Sequence, residues 1–285
     1  MIRRNIFNRT PDDSCLLCKI NKASKTESHI ISKFLGKSLK ISNNNKFNLI
    51  SSELKNKPIQ DLPKVDYLFC PDCEKKFEII ETEVSRILSQ INNDAFSGDF
   101  TIKNINDESD IIKHNHLEPV FLYLFVYIQT WRIAAFVNKI MINIKMEGIN
   151  DYRLFEYFRL GEETEEKLRI TINENLFISK TEFLNNIDKI KQNLTIFPFV
   201  LFTHQGIIQK ESGFFYANTP DYFTTLLYMN NFKLVVFFNN SFPNAFSKYI
   251  NKNIDDAGIS ILNDGLWNIL SDEFIKDPLI WNRKK

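Results

Sequence analysis

Cys15-Leu16-Leu17-Cys18 and Cys70-Pro71-Asp72-Cys73 contain all four cysteines of this chain, and one histidine, in Ser28-His29-Ile30-Ile31, stands between them. Two C-x-x-C pairs with no cysteine left over are the spacing of one tetrahedral four-cysteine zinc site. Four thiolates close the coordination sphere and leave no position for a water molecule, so such a zinc is structural. The 51 residues between the pairs are too few to hold their ends together by a core of their own. Zinc would supply much of that folding energy.

Working outward, 285 residues are long for one domain and comfortable for two. Hydrophobic residues at 44% and charged residues at 25% are globular values. The 26 phenylalanines and the many Asn, Ile and Lys residues read as a compositional bias without mechanistic weight. Net charge is +1, but residues 1–40 carry nine Lys/Arg against three Asp/Glu, and the first 90 residues sit at +5 against −4 for the remainder. A basic amino-terminal region fits a polyanionic partner, although ordinary solvated lysines account for it equally well. Met1-Ile2-Arg3-Arg4 opens no apolar signal region. The apolar run 120–128 is too short to span a bilayer. The expectation is a cytoplasmic chain with no membrane partner, where paired cysteines read as metal ligands rather than disulfides.

After a polar, basic start, the first cysteine pair forms a knuckle. His29 lies on a short extended piece, followed by a helix to about residue 39. Residues 41–58 read as a loop or weak hairpin around Phe47, and 67–70 as a short strand into the second pair. From Cys73 the residues Phe77, Ile80, Val84, Ile87 and Leu88 recur at helical steps. Glu74 and Glu81, seven apart, fall on nearly one face of that helix. A knuckle, an extended segment and a helix starting at the second pair make up a treble-clef zinc domain, here 1–95. The polar stretch 92–118, broken at Ser97-Gly98-Asp99, marks the boundary. The second domain, 96–285, is mixed α+β. It has a helix over 119–144 that is apolar nearly all round and therefore buried. Charged helices follow over 152–168 and 181–192, then strands over 195–203, 213–217 and 232–238, and a partly helical tail around Leu266. The fold class is thus α+β.

His29 is the one histidine in the first 113 residues. A neutral imidazole beside the helix that begins at Cys73 could take a proton from a water attacking a phosphodiester. The carboxylates of that helix are hard oxygen donors suited to Mg²⁺ or Mn²⁺.

The order of anchors resembles an HNH-related (His-Me finger) treble-clef family of bacterial endonuclease-like proteins. They are Cys15-x-x-Cys18, Ser28-His29-Ile30-Ile31-Ser32-Lys33-Phe34, Gln60-Asp61-Leu62-Pro63-Lys64 and Leu68-Phe69-Cys70-Pro71-Asp72-Cys73-Glu74 with Phe77 and Glu81. The likeness is close over about 15–84, and Trp131-Arg132 resembles a Trp-Arg pair carried in the larger part of such proteins. The resemblance implies a zinc domain of the HNH ββα kind and a metal-dependent nuclease, DNA rather than RNA being the expected substrate, in defence against mobile DNA. It makes His29 the general base, Glu74 a ligand of a catalytic divalent metal, and Asp61 and Glu81 further acidic positions for metal or water. Ser28 stands where HNH proteins carry an acidic ligand before the histidine, Ser32 replaces a proline, and Leu62 replaces a glycine.

The alternative expectation is a non-catalytic zinc module that binds nucleic acid or a protein, with the carboxy-terminal domain docking a protein partner or a second copy. Trp131-Arg132 in a buried helix reads as packing plus an ion pair, since buried Arg seeks a carboxylate. Lys33, Lys37 and Lys40 suit phosphate contacts or a solvated face. His114, His116 and His204 are given no role.

Overall fold

A helix with apolar side chains on every face must be covered on every face, and the long central helix of this protein is. The computed structural model describes residues 9–37, 47–49, 57–59, 64–92, 98–140, 160–204, 214–219, 224–229, 232–239, 242, 244–263 and 266. The helical elements are α1 (Lys33–Lys37), α2 (Pro71–Asn92), α3 (Pro119–Ile140), α4 (Glu162–Asn175), α5 (Lys180–Asn185) and α6 (Ile187–Asn193). From Val120 to Ala135 every residue of α3 is buried. Its rings point in four directions. Phe125 meets Phe34 of α1 at 5.7 Å, Phe121 meets Phe183 of α5 at 4.4 Å, and Trp131 meets Phe69 at 5.8 Å and Phe77 of α2 at 6.4 Å. Tyr123 meets Phe199 of the sheet edge-on at 4.8 Å.

That sheet has seven strands. Along it lie β5 (Phe100–Asn106), β6 (Ser109–His114), β11 (Ile259–Leu262), β7 (Phe199–His204), β10 (Phe232–Phe237), β9 (Thr224–Met229) and β8 (Phe214–Thr219), in that order. The β11–β7 pair is parallel, with Ser260 opposite Phe202, and the other pairs are antiparallel. Period-two alternation sorts the central strands into two cores. Phe199, Leu201, Leu234, Val236, Ile259 and Ile261 join the cluster around α3, while Val200, Phe202, Val235, Phe237 and Leu262 pack with Phe246 and Tyr249 on the other face. Strands buried on both faces read as continuous apolar runs.

Two small pairings belong to the amino-terminal part: β1 (Ser28–His29) with β4 (Lys64–Val65), and β2 (Phe47–Leu49) with β3 (Lys57–Ile59), both antiparallel. The larger apolar cluster is continuous from Cys15 through α2 and α3 to Ile261. It therefore runs across the 95/96 division expected from composition.

The α+β class stands, and several local expectations shift. The polar stretch 98–114 is the β5–β6 hairpin at one edge of the sheet rather than a bare linker. Its outer strand is largely exposed, so it carries no apolar alternation to read. Residues 67–70 form no strand. Tyr67 sits at φ 62° in a turn, and the strand lies earlier, at Lys64–Val65. The helix at the second cysteine pair begins at Pro71, where proline's fixed φ and missing N–H suit a first helical position. The helix read over 181–192 is two, meeting at Asn186. Strands Thr224–Met229 and Ile259–Leu262 were not anticipated. Residues 151–159 and the tail beyond Leu266 lie outside the described residues.

One polar clamp ties α3 to the start of β7. The buried Tyr127 hydroxyl accepts the Phe197 N–H at 2.7 Å and donates to the Thr195 carbonyl at 3.0 Å. Tyr127→Phe leaves the Phe197 N–H without that acceptor, an expected cost of about 1–3 kcal/mol in urea unfolding. An unchanged midpoint would show that the clamp contributes nothing.

Candidate functional site

The two knuckles converge through backbone pairing before any sulfur chemistry. Cys15 donates its N–H to the Asn21 carbonyl at 2.8 Å, Lys19 to Cys15 at 2.9 Å, and Leu16 to Leu68 at 2.9 Å. Lys25 and Tyr67 continue this pairing through Lys25 N to Phe69 O and Tyr67 N to Lys25 O. The Arg9 guanidinium donates to the carbonyls of Tyr67 and Ser14, both at 2.6 Å. Lys19, Glu27 and Tyr67 hold φ near +60°. Non-glycine residues in that region cost roughly 1–3 kcal/mol each, and all three lie in this module.

The Sγ atoms of Cys15, Cys18, Cys70 and Cys73 lie within 4.8 Å of one another, and those of Cys18 and Cys70 are 4.0 Å apart. Tetrahedral Zn–S bonds of about 2.3 Å place sulfurs about 3.8 Å apart, so this donor set could hold a zinc ion with little movement. The sulfurs compete for protons. Cys73 donates to Cys15, which holds the Cys15 thiol down to about 5 and pushes Cys73 up, while burial raises Cys70. The N-terminus of α2 adds partial positive charge beside Cys70 and Cys73, which favours thiolate. Structural zinc contributes on the order of 10–16 kcal/mol in small domains, enough to offset the three strained residues. Among the described residues no other three or more His, Cys, Asp or Glu ligand atoms come together in this way.

A second fastening, which the sequence reading missed, comes from α4. Arg169 donates to the Leu17 carbonyl inside the first knuckle and forms a bidentate pair with Glu166 at 2.8 Å, while Lys19 reaches the same carboxylate at 2.8 Å. The Arg169 hydrogen bonds hold the Glu166 carboxyl down to about 2. Arg169 and Glu166, three apart on a charged helix, look like a solvated surface pair in sequence. Only the long-range contact to Leu17 distinguishes them.

His29 lies on β1, opposite Lys64 of β4, with Ser28 opposite Val65. Ser28, Ile30, Ile31 and Ser32 are buried, and His29 is half-buried. Ser28 stands beside the carboxylate of Glu74 in the first turn of α2. Burial holds the Glu74 carboxyl above the usual carboxylate range, against the opposing influence of the Arg132 charge and the Ser28 hydroxyl, whose Oγ makes no hydrogen bond among the described residues. The Oε1 atom of Glu74 is sealed from solvent and has no hydrogen-bond partner among the described residues.

Glu81, two turns further along α2, is engaged differently. Its Oε1 accepts from Arg132 Nη1 at 2.5 Å, Ser32 Oγ at 2.6 Å and Gln129 Nε2 at 3.3 Å. Gln129 also donates to Ser32 Oγ at 2.5 Å and accepts the Ser32 N–H at 3.1 Å. The Arg132 guanidinium lies 5.1 Å from the Phe77 ring and 5.7 Å from Phe69, within cation–π range. The ion pair expected of a buried Trp131-Arg132 is therefore present, and its partner is Glu81. Asp61 lies outside the described residues, as does Lys40. Lys33 is exposed at the start of α1. His114 accepts the His116 N–H, and His116 lies 3.4 Å from Asp99, on the β5–β6 hairpin. No helix among the described residues is long and apolar enough to cross a membrane.

Comparison with protein-family models, curated proteins and solved structures finds no match to this chain. The residues themselves carry the functional reading.

Purified from zinc-supplemented medium, the chain is expected to contain one zinc per molecule by plasma mass spectrometry, and Cys70→Ser is expected to lose it. A folded, metal-free wild type would contradict the assignment.

Proposed function

We propose that residues 9–92 form a zinc-stapled treble clef of the HNH kind that hydrolyses phosphodiester bonds of nucleic acid, DNA in the first instance, with His29 as general base. The observation that supports this reading is the Glu74 carboxylate in the first turn of α2, the helix that begins at the second cysteine pair. Glu74 is a carboxylate with one buried oxygen left open. Buried polar atoms in folded proteins are satisfied with few exceptions, and the exceptions point to a missing partner or a functional role. In this reading a neutral His29 imidazole takes the proton of the attacking water as the bond from phosphorus to the leaving oxygen breaks. The zinc contributes no chemistry beyond fixing the two knuckles.

The HNH resemblance also implies Mg²⁺ or Mn²⁺. Among the described residues, Glu74 has a buried carboxylate oxygen without a hydrogen-bond partner. Glu81 is committed to Arg132, Ser32 and Gln129, and the described residues do not assemble three donors around a divalent ion. The residues present do not fit such an ion, and no step is assigned to it.

That same commitment of Glu81, with Ser28 where an acidic ligand would stand, favours a second reading: a module that grips nucleic acid without cutting it. The two part on one substitution. With DNA or RNA as substrate, with and without Mg²⁺ or Mn²⁺, His29→Ala is expected to lower cleavage by about 10²–10⁴-fold while zinc content stays the same. Cleavage at the wild-type rate would refute the catalytic role. Salt-dependent binding that survives the substitution, with no cleavage by either protein, would establish the second reading.

A further inference from the structure

The polar network at Ser32 does more than neutralise a buried charge. A buried arginine needs a carboxylate, but one carboxylate would suffice, and the network also grips the backbone and hydroxyl of Ser32. Gln129 of α3 accepts the Ser32 N–H and donates to its hydroxyl, and that hydroxyl donates to Glu81 of α2, which Arg132 of α3 fixes from the other side. Ser32 is thus held by two helices at once, through both its main chain and its side chain. Between Ser32 and His29 lie only Ile30 and Ile31, both buried at 4% and 3% exposure, so this short stretch has no slack. At its other end, Ser28 and His29 are paired to Val65 and Lys64. The Arg132 side chain is itself confined, 2% exposed and set against the rings of Phe77 and Phe69. It cannot move without disturbing α2.

We infer that Arg132 is a positioning residue for His29, acting through Glu81 and Ser32 to set where the imidazole stands. The functional part of this inference rests on the proposed role of His29 as base. The positional part does not. It assigns a role to α3, which lies far along the chain from the cysteines: the central helix carries the sheet on one side and locates the candidate catalytic residue on the other. Lysine in place of Arg132 keeps the charge but cannot reproduce a fixed planar fork between Glu81 and the two rings.

The test uses the full chain with ¹³C-labelled histidine. Its four histidines give four Cε1–H imidazole cross-peaks in a proton–carbon correlation spectrum; of the other three, His114 and His204 end strands of the sheet and His116 follows β6. Arg132→Gln is expected to shift the His29 peak and leave the other three in place, with zinc content unchanged. Cleavage is expected to fall by roughly 10²-fold, as for a catalytic group displaced by about an ångström, mainly in kcat rather than KM. Arg132→Lys should restore part of the shift and part of the rate. A loss of thermal stability with all four peaks moving together, or with the His29 peak unmoved, would reduce Arg132 to a packing residue and overturn the inference. Should Arg132→Gln fail to fold, Ser32→Ala cuts the same path while leaving the Arg132–Glu81 pair whole. It must move the His29 peak as well, and an unmoved peak overturns the inference in that variant too. If the wild type proves unable to cleave, the catalytic reading fails by that result, and the peak positions still decide whether Arg132 positions His29.

Discussion

Four cysteine sulfurs within 4.8 Å form an arrangement that could hold a cation. As thiols they compete for the same few acceptors, and as thiolates they repel; a single divalent ion removes both problems. The consequence reaches beyond the sulfurs. Among the described residues, the segments they join contain three non-glycine residues at positive φ. Backbone pairing between residues 16 and 68, and between 25 and 67–69, shapes the knuckles. It cannot by itself outweigh the chain entropy of the 51 residues closed between them. A metal ion held by the four cysteines would supply that stability, and Arg169 reaching the Leu17 carbonyl from α4 ties the first knuckle to the body of the protein.

The second constraint is the charge buried next to it. A guanidinium at 2% exposure would be prohibitive alone, and removing one member of a buried pair costs about 3–5 kcal/mol. Here the partner carboxylate belongs to α2, which starts at the second cysteine pair, and the guanidinium belongs to α3, which starts 48 residues later. The pair therefore enforces one relative placement of two helices that a purely apolar contact would leave freer to slide. Ser32 and Gln129 extend that placement to the strand bearing His29. The cysteine cluster stands at one end of α2, the Arg132–Glu81 pair fixes its middle, and Ser32 ties the histidine segment to that pair.

Much of this was legible in the sequence, and the reasons are physical. The cysteine pairs announce themselves by spacing. The apolar residues of α2 recur at helical steps because one face is buried, and α3 is apolar all round because every face is. Trp131-Arg132 in such a helix demands a carboxylate, although nothing in the pattern shows that it is Glu81 rather than Glu74. The missed elements lack a local signature. Phe100–Asn106 lies on an exposed sheet edge, where polar residues carry no alternation. Ile259–Leu262 is four residues long and is made a strand by β6 and β7 on either side. Arg169 looks like any surface arginine until its partner in the first knuckle is known. The candidate site divides in the same way: spacing pointed to the four cysteines that the structure brings together, whereas the difference between Glu74 and Glu81 depends on which carboxylate an arginine 51 residues away reaches.

Zinc K-edge X-ray absorption on the purified full chain tests the metal centre most directly. Four sulfur scatterers at about 2.3 Å with no nitrogen or oxygen in the first shell are expected, which is a closed structural site. A first shell with a nitrogen or oxygen ligand, or zinc bound without the cysteine sulfurs, would contradict it and would move the metal from scaffold to reactant.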